Sequence, residues 1–119
     1  MAKIKANEAL VKALQAWDID HLYGIPGDSI DAVVDSLRTV RDQFKFYHVR
    51  HEEVASLAAG SYTKMTGKIG VALSIGGPGL VHLLNGMYDA KMDKVPQLIL
   101  SGQTNSTLLG TKAVSYTHL

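Results

Sequence analysis

The run IGVALSI, from Ile69 to Ile75, constrains the fold of this chain more than any other stretch. It is almost wholly apolar and does not alternate with polar residues, so it predicts a strand that is buried on both faces. Strands of this kind belong to parallel sheets whose two faces are covered by helices. The run VPQLILSG, which ends at Gly102, has the same character. Together the two runs predict an α/β protein.

Helical patterns alternate with the strand patterns along the chain. Apolar residues recur at helical spacing from Asn7, from Ile30, from Val54 and from Leu80, and Asn7 is a candidate N-cap. The strand patterns HLY and FKFYHV lie between the earlier helices. The order α-β-α-β-α-β-α-β predicts an open parallel sheet with helices on both faces.

The composition narrows the possible functions. With 119 residues, 46% hydrophobic and 19% charged, the chain has the composition of one globular domain. A net charge of +1 without a basic run argues against a nucleic-acid partner. No cysteine is present and no two of the 5 histidines share an i, i+4 spacing on one helix, so we expect no metal ligands. Without an apolar run of about 18 residues or a signal peptide, we expect a cytoplasmic domain.

Four short polar or glycine-rich stretches follow the predicted strands: GIPG, RHEE, GGPG and SGQT. In open α/β folds, ligands bind outside the carboxyl ends of the strands. The stretches are far apart in sequence, but the predicted sheet brings them to one edge. That edge is the predicted functional site.

Three of the motifs have ordinary structural explanations that the residues alone favour. GIPGDS suits a turn capped by Asp28 or Ser29, although its glycines would also let a flat ligand approach the backbone. GGPG suits a strand-to-helix turn better than a phosphate site, because it matches neither GxGxxG nor GxxxxGK[ST]. His82 and Asn85 begin a helix that we expect to be partly exposed.

The RHEE stretch is harder to explain by structure alone. Glu53 suits the first turn of a helix, where the helix dipole favours a surface carboxylate. Glu52 instead lies over a face of small residues, which makes it a candidate buried acid at the sheet edge. His51 is equally compatible with an orienting role and with a purely structural one. The small residues beside Glu52 are Ala55, Ser56 and Ala59.

The helix that follows RHEE has an apolar stripe at i, i+3, i+4, i+7, i+8 and i+11. This spacing predicts a helix, and we expect it to end at Gly67. The stripe consists of Val54, Leu57, Ala58, Ser61, Tyr62 and Met65.

Taken together, YGIPGDSI, RHEEVASLAAGSYTKMTGKIGV and IGGPGLVHLLNGMYDAKMDKVPQLILSGQT resemble a known family. It is the N-terminal pyrimidine-binding domain of thiamine-diphosphate enzymes of the pyruvate oxidase and acetolactate synthase type. LYGIPGDSID, TGKIGV and HLLNGMYDA are most similar to pyruvate oxidases. The resemblance covers residues 4–113, which would be a pyrimidine domain incomplete at its C-terminal end. Residues 114–119 depart from the family, so we expect a non-native tail there.

The resemblance implies roles for individual residues. Glu52 would hydrogen-bond a ring nitrogen of the cofactor's aminopyrimidine and so support the tautomer that takes the thiazolium proton. The other residues that it implies as cofactor-binding are Pro26, Gly27, Pro78, Gly79 and His82.

The resemblance also implies a larger enzyme, of which this chain is one part. That enzyme would decarboxylate pyruvate oxidatively and pass electrons to flavin and then to quinone or oxygen. Mg²⁺, the cofactor's diphosphate and FAD would be bound by other domains, because the chain has no GDG motif. We therefore expect the isolated chain to be inactive.

The active site would form between subunits of a homodimer or homotetramer, with the face of Ala55, Ser56 and Ala59 as subunit contact. A quinone acceptor would place the full-length protein at the inner face of the membrane.

Two other functions remain open. One is a fragment of an acetolactate synthase-like carboligase. The other is a stand-alone α/β binding domain that has no catalytic activity.

Overall fold

The four predicted strands form one parallel sheet with the order β2-β1-β3-β4. The computed structural model describes residues 3–110, so the tail at 114–119 lies outside the described residues. The strands are β1 His21–Gly24, β2 Lys45–His48, β3 Gly70–Ser74 and β4 Gln97–Ser101. The helices are α1 Ala6–Ala16, α2 Asp31–Thr39, α3 Glu52–Thr66 and α4 Pro78–Met92, with 3₁₀ turns at Asp28–Ile30 and Ser106–Leu108. The predicted α/β class and element order are confirmed.

Strand β3 lies between β1 and β4 and is buried along its whole length. Its side chains alternate between two cores, which explains why the run has no polar face. Val71 joins the core of α1 and α2, while Ala72 joins the core of α3 and α4. Helices therefore cover both faces of the sheet, as predicted.

Helix α3 buries its small residues and leaves the large side chains of its apolar stripe largely exposed. Val54, Leu57 and Met65 are exposed. The buried residues are the small ones: Ala55, Ser56, Ala59, Gly60 and Thr63.

The reason is the close approach of α4. A Cβ at Gly86 of α4 would lie 2.5 Å from the Ser56 side chain and 2.6 Å from the backbone nitrogen of Leu57. The expectation that Ala55, Ser56 and Ala59 form a subunit contact is therefore wrong, because this face packs inside the domain and is fully buried.

Helix α4 also buries small residues where it approaches α3. Its buried residues are Gly79, Leu83, Gly86 and Ala90. Large apolar side chains remain on the outer sides of both helices, and we call this set the α3–α4 outer face. It consists of Val54, Leu57, Leu80, Val81, Leu84 and Tyr88, which are 38–64% exposed.

The start of α1 also differs from the prediction. The N-cap position is Lys5, and Asn7 lies inside the helix. The Asn7 amide donates to the Ala32 carbonyl at 2.9 Å and to Ser36 Oγ at 2.7 Å. Asn7 therefore ties α1 to α2 instead of capping its own helix.

Candidate functional site

Three of the predicted loops meet at the carboxyl edge of the sheet through direct hydrogen bonds. The Gly76 backbone N–H donates to Ser29 Oγ at 3.2 Å, which joins GGPG to GIPGDS. The Gly102 backbone N–H donates to the Ser74 carbonyl at 2.9 Å, which joins SGQT to the end of β3. The predicted convergence of these loops is confirmed.

RHEE reaches the same edge through Glu52. Helix α3 begins at Glu52, and α4 begins at Pro78. His82 lies one turn into α4, and its Nδ1 is 2.9 Å from Glu52 Oε2. The Glu52 side chain is only 13% exposed, while that of His82 is 45% exposed. The two helix N-termini thus hold a largely buried carboxylate beside a half-exposed imidazole.

The second carboxylate oxygen of Glu52 has a different environment. A Cβ at Gly79 would lie 3.3 Å from Glu52 Oε1 and 3.0 Å from a side-chain carbon of Ile75, so a larger residue at this position would press on the carboxylate. Among residues 3–110, no hydrogen-bond donor contacts Oε1. A largely buried carboxylate oxygen without a partner is costly, and it calls for a ligand or ordered water.

His51 is the N-cap of α3. Its Nδ1 accepts a hydrogen bond from the Glu53 backbone N–H at 3.3 Å. Its ring stacks on His82, with centroids 4.5 Å apart and an interplanar angle of 28°. His51 therefore has a structural role as a cap and also contacts the partner of Glu52. The Glu53 side chain is 40% exposed, which agrees with its predicted place in the first turn.

His51, Glu52 and His82 also satisfy a simple distance criterion for a cation site. One ligand atom from each residue lies within 4.8 Å of the others. However, the lone pairs of an imidazole lie in the ring plane, and the two rings here are stacked nearly parallel. The Nδ1 atoms of both rings are also engaged already, that of His51 with the Glu53 backbone N–H and that of His82 with Glu52, so this arrangement fits a hydrogen-bonded cluster better than a metal centre.

The other predicted site residues lie on the segments that follow β1 and β3. Pro78 occupies the first turn of α4, and Gly79 is buried beside Glu52. Pro26 is exposed on the GIPG loop. Ile75 lies between Gly27 and Gly79. One branch of its side chain packs against Gly27 and the other against Gly79, so a Cβ at either glycine would meet it.

Ile75 was not among the site residues predicted from the sequence. It is the last residue of the run IGVALSI, directly before GGPG, and that position at a strand end could have identified it.

A second polar cluster lies at the amino end of β1, away from Glu52. Asp20 accepts hydrogen bonds from His21 Nδ1 at 2.7 Å and Tyr62 Oη at 2.8 Å, and Lys68 Nζ lies 3.3 Å from it. Burial alone would raise the pKa of Asp20, but hydrogen bonds from His21, Tyr62 and Lys68 lower it to about 2. Burial and the bond to Asp20 raise the pKa of Tyr62. This cluster fastens α3 to β1 and shares no residue with the site.

A cavity of about 580 Å³ also lies apart from the site. It is bordered by α2 and by Phe44 and Phe46, and it contains none of the residues around Glu52. No helix within residues 3–110 has the length and apolarity that crossing a membrane requires.

Comparison with known proteins gives a consistent result. Residues 4–118 match the family described as thiamine pyrophosphate enzyme, N-terminal TPP binding domain. YdaP of Bacillus subtilis, named as a thiamine pyrophosphate-containing protein, is 56% identical over 110 residues, which are 92% of this chain and 19% of YdaP. Pyruvate oxidase of Lactiplantibacillus plantarum is 52% identical over 104 residues, or 87% of this chain and 17% of that enzyme.

A more distant relative belongs to another enzyme class. The acetolactate synthase large subunit of Buchnera aphidicola is 36% identical over 113 residues, which are 95% of this chain and 20% of that subunit. The chain thus spans about a fifth of the length of the curated relatives that it matches.

Proposed function

Because this chain belongs to the thiamine pyrophosphate enzyme family, through its N-terminal TPP binding domain, we propose that it forms the aminopyrimidine half of an active site. In this proposal Glu52 is the carboxylate that acts on the cofactor. The supporting observation is Glu52 Oε1, an oxygen of a largely buried side chain that has no hydrogen-bond partner among the described residues and lies close to Gly79.

These residues fit an aminopyrimidine ring. A glycine at position 79 allows a flat ring to come close to Oε1, and a carboxylate can share a proton with a ring nitrogen. Gly79 and His82 lie next to Glu52, and Ile75 lies between Gly79 and Gly27. Pro78 and Pro26, which directly precede the two glycines, would complete the wall. When bound, thiamine diphosphate would supply the electron sink for cleaving the bond beside the carbonyl of a 2-oxo acid.

The residues of this chain would perform only part of the task. Glu52 would hold a proton at the ring nitrogen, and the apolar and glycine-rich wall would orient the ring and exclude water. Mg²⁺, the diphosphate and FAD would be bound by parts of the full-length protein outside this chain. The α3–α4 outer face supports a homo-oligomer, because exposed apolar surfaces of this kind mark interaction sites.

Pyruvate is the proposed substrate, and oxidation is the proposed outcome. The higher identity to pyruvate oxidase than to acetolactate synthase supports this choice. The segment Gly60-Ser61-Tyr62-Thr63-Lys64 supports it too, because it differs from the synthase pattern EGYAR. The electron acceptor after flavin would be quinone or oxygen. A quinone would bring an otherwise cytoplasmic protein to the membrane surface.

The test is the reaction of the full-length gene product with pyruvate, Mg²⁺, FAD and thiamine diphosphate. An oxidase releases carbon dioxide and reduces its flavin, and the flavin is then reoxidised by a quinone or by oxygen. A carboligase also releases one carbon dioxide, joins the remaining two-carbon unit to a second pyruvate and produces acetolactate without net oxidation. Absence of both reactions would favour the stand-alone binding domain.

A further inference from the structure

His82 and Glu52 come from two helices that start side by side, and this pairing was not predicted. The separation of 2.9 Å between His82 Nδ1 and Glu52 Oε2 is that of a hydrogen bond. An ionised carboxylate only accepts hydrogen bonds, so the proton must be on His82 Nδ1. A neutral imidazole carries one proton, and the bond therefore selects one of its two tautomers.

We propose that His82 is a positioning residue for the Glu52 carboxylate. It binds Oε2 and leaves Oε1 as the oxygen that is available to a ligand. The assignment of that ligand as an aminopyrimidine rests on the proposed function, whereas the pairing of His82 with Glu52 does not.

The two oxygens of Glu52 have unequal surroundings, and this inequality supports the proposal. One oxygen has a donor at 2.9 Å, while the other has none among the described residues. A carboxylate without His82 could turn about its last side-chain bond, because that torsion is broad. It could then present either oxygen, or neither, to the ring. A fixed donor on one side removes this freedom before a ligand binds.

His51 holds His82 from the other side. The His51 ring is itself restrained, because its Nδ1 caps α3 by accepting from the Glu53 backbone N–H. Its face stacks on His82 at 4.5 Å and limits the rotation of that ring. His51, the N-cap of α3, thus restrains His82 of α4, and His82 in turn orients the Glu52 carboxylate.

The first test uses the 119-residue chain and nitrogen NMR of ¹⁵N-labelled histidine. In the wild type we expect the neutral form of His82 to carry its proton on Nδ1. Glu52→Leu removes the acceptor, so the preference for Nδ1–H should be lost. His48 is an exposed histidine on β2, and it should not change. A proton on Nε2 of wild-type His82 would contradict the pairing. So would a His82 tautomer that is the same in the wild type and in Glu52→Leu.

The second test compares two substitutions in the full-length enzyme. His82→Asn retains an N–H donor close to the position of Nδ1, while His82→Leu removes it. We expect His82→Leu to slow hydrogen–deuterium exchange at the thiazolium carbon about 10-fold, the effect of losing one hydrogen bond in the transition state. His82→Asn should restore most of the rate, and KM for pyruvate should change less than kcat.

The outcomes distinguish the positioning role of His82 from the proposed function of the chain. Equal losses in His82→Asn and His82→Leu, or no loss in either, would overturn the positioning role. If the wild-type enzyme shows no exchange with bound cofactor, the proposed function fails, and the NMR result alone decides whether His82 orients Glu52. His48→Leu is the control for the loss of a histidine elsewhere.

Discussion

Glu52 and Glu53 are adjacent in the sequence, yet their side chains have different environments. Glu52 is 13% exposed and is hydrogen-bonded to a neighbouring helix, whereas Glu53 is 40% exposed and remains in the first turn of α3. Helical periodicity was enough to predict this difference, because a rotation of about 100° separates adjacent residues. The contact with His82 was not predictable in this way, since it depends on how close α3 and α4 lie.

At the residue scale, Asp20 makes a testable contribution to stability. Its pKa falls from 3.8 to about 2 on folding, because hydrogen bonds from His21, Tyr62 and Lys68 outweigh the cost of burial. A lowered carboxyl pKa stabilises the fold above the unfolded pKa, and this stabilisation is lost as the pH falls from about 4 towards 2.

We therefore expect Asp20→Asn to reduce the free energy of unfolding at pH 7 by about 1 kcal/mol. This effect is smaller than the pKa shift alone would give, because the Asp20 side chain is 34% exposed and solvent partly screens its charge interactions. Urea unfolding at several pH values measures it, and the difference from wild type should shrink as the pH approaches 2. Asp35→Asn is the control, because its pair with Arg38 is highly exposed. A pH-independent difference for Asp20→Asn would contradict this account.

At the scale of elements, the sheet was predictable and the helix faces were not. The unbroken apolar run of β3 requires burial on both sides, which only a covered parallel sheet supplies. Gly67 ends α3 in the left-handed conformation, as expected, with a φ of 73°. The buried face of α3 was not predictable from its apolar stripe, because helical periodicity ranks residues by hydrophobicity and carries no information on how near the neighbouring helix lies.

Gly86 tests the importance of that close approach. We expect Gly86→Ala to destabilise the protein by about 1–3 kcal/mol, because a new Cβ would press on Ser56 and on the backbone of α3. Gly60→Ala is the matched control, since its Cβ would meet Ala90 and Gln97 at 3.7 and 3.8 Å, which are ordinary contacts. That control should be neutral or stabilising by up to about 1 kcal/mol. Thermal and urea unfolding give both values, and equal effects of the two substitutions would contradict the packing explanation.

At the scale of the whole molecule, the chain has an apolar surface that its own packing leaves uncovered. We expect the 119-residue chain to self-associate through the α3–α4 outer face, where Leu84 is 51% exposed. Leu84→Glu should shift sedimentation towards the monomer, because a charge disfavours burial at an interface. Trp17→Glu is the control, since Trp17 is 72% exposed at the C-cap of α1, which packs on the other face of the sheet. A monomeric wild type, or equal effects of both substitutions, would contradict this role of the outer face.

The isolated chain should also bind its cofactor weakly. The diphosphate and Mg²⁺ would be bound outside this chain, so only the aminopyrimidine contacts around Glu52 remain. We expect calorimetric titration with thiamine diphosphate and Mg²⁺ to show no binding in the micromolar range. Tight binding would mean that this chain holds the charged end of the cofactor as well.

Hydrogen–deuterium exchange at the thiazolium carbon of bound cofactor tests the central proposal, the role of Glu52, most directly. In the full-length enzyme, we expect Glu52→Gln to slow this exchange at least about 100-fold, the lower end for a positioned acid–base group. Glu53→Gln should leave the rate almost unchanged, because Glu53 faces solvent. Slow exchange in Glu53→Gln together with a normal rate in Glu52→Gln would show that the role belongs to Glu53 and not to Glu52. Normal exchange in both variants would contradict the catalytic role proposed for this site.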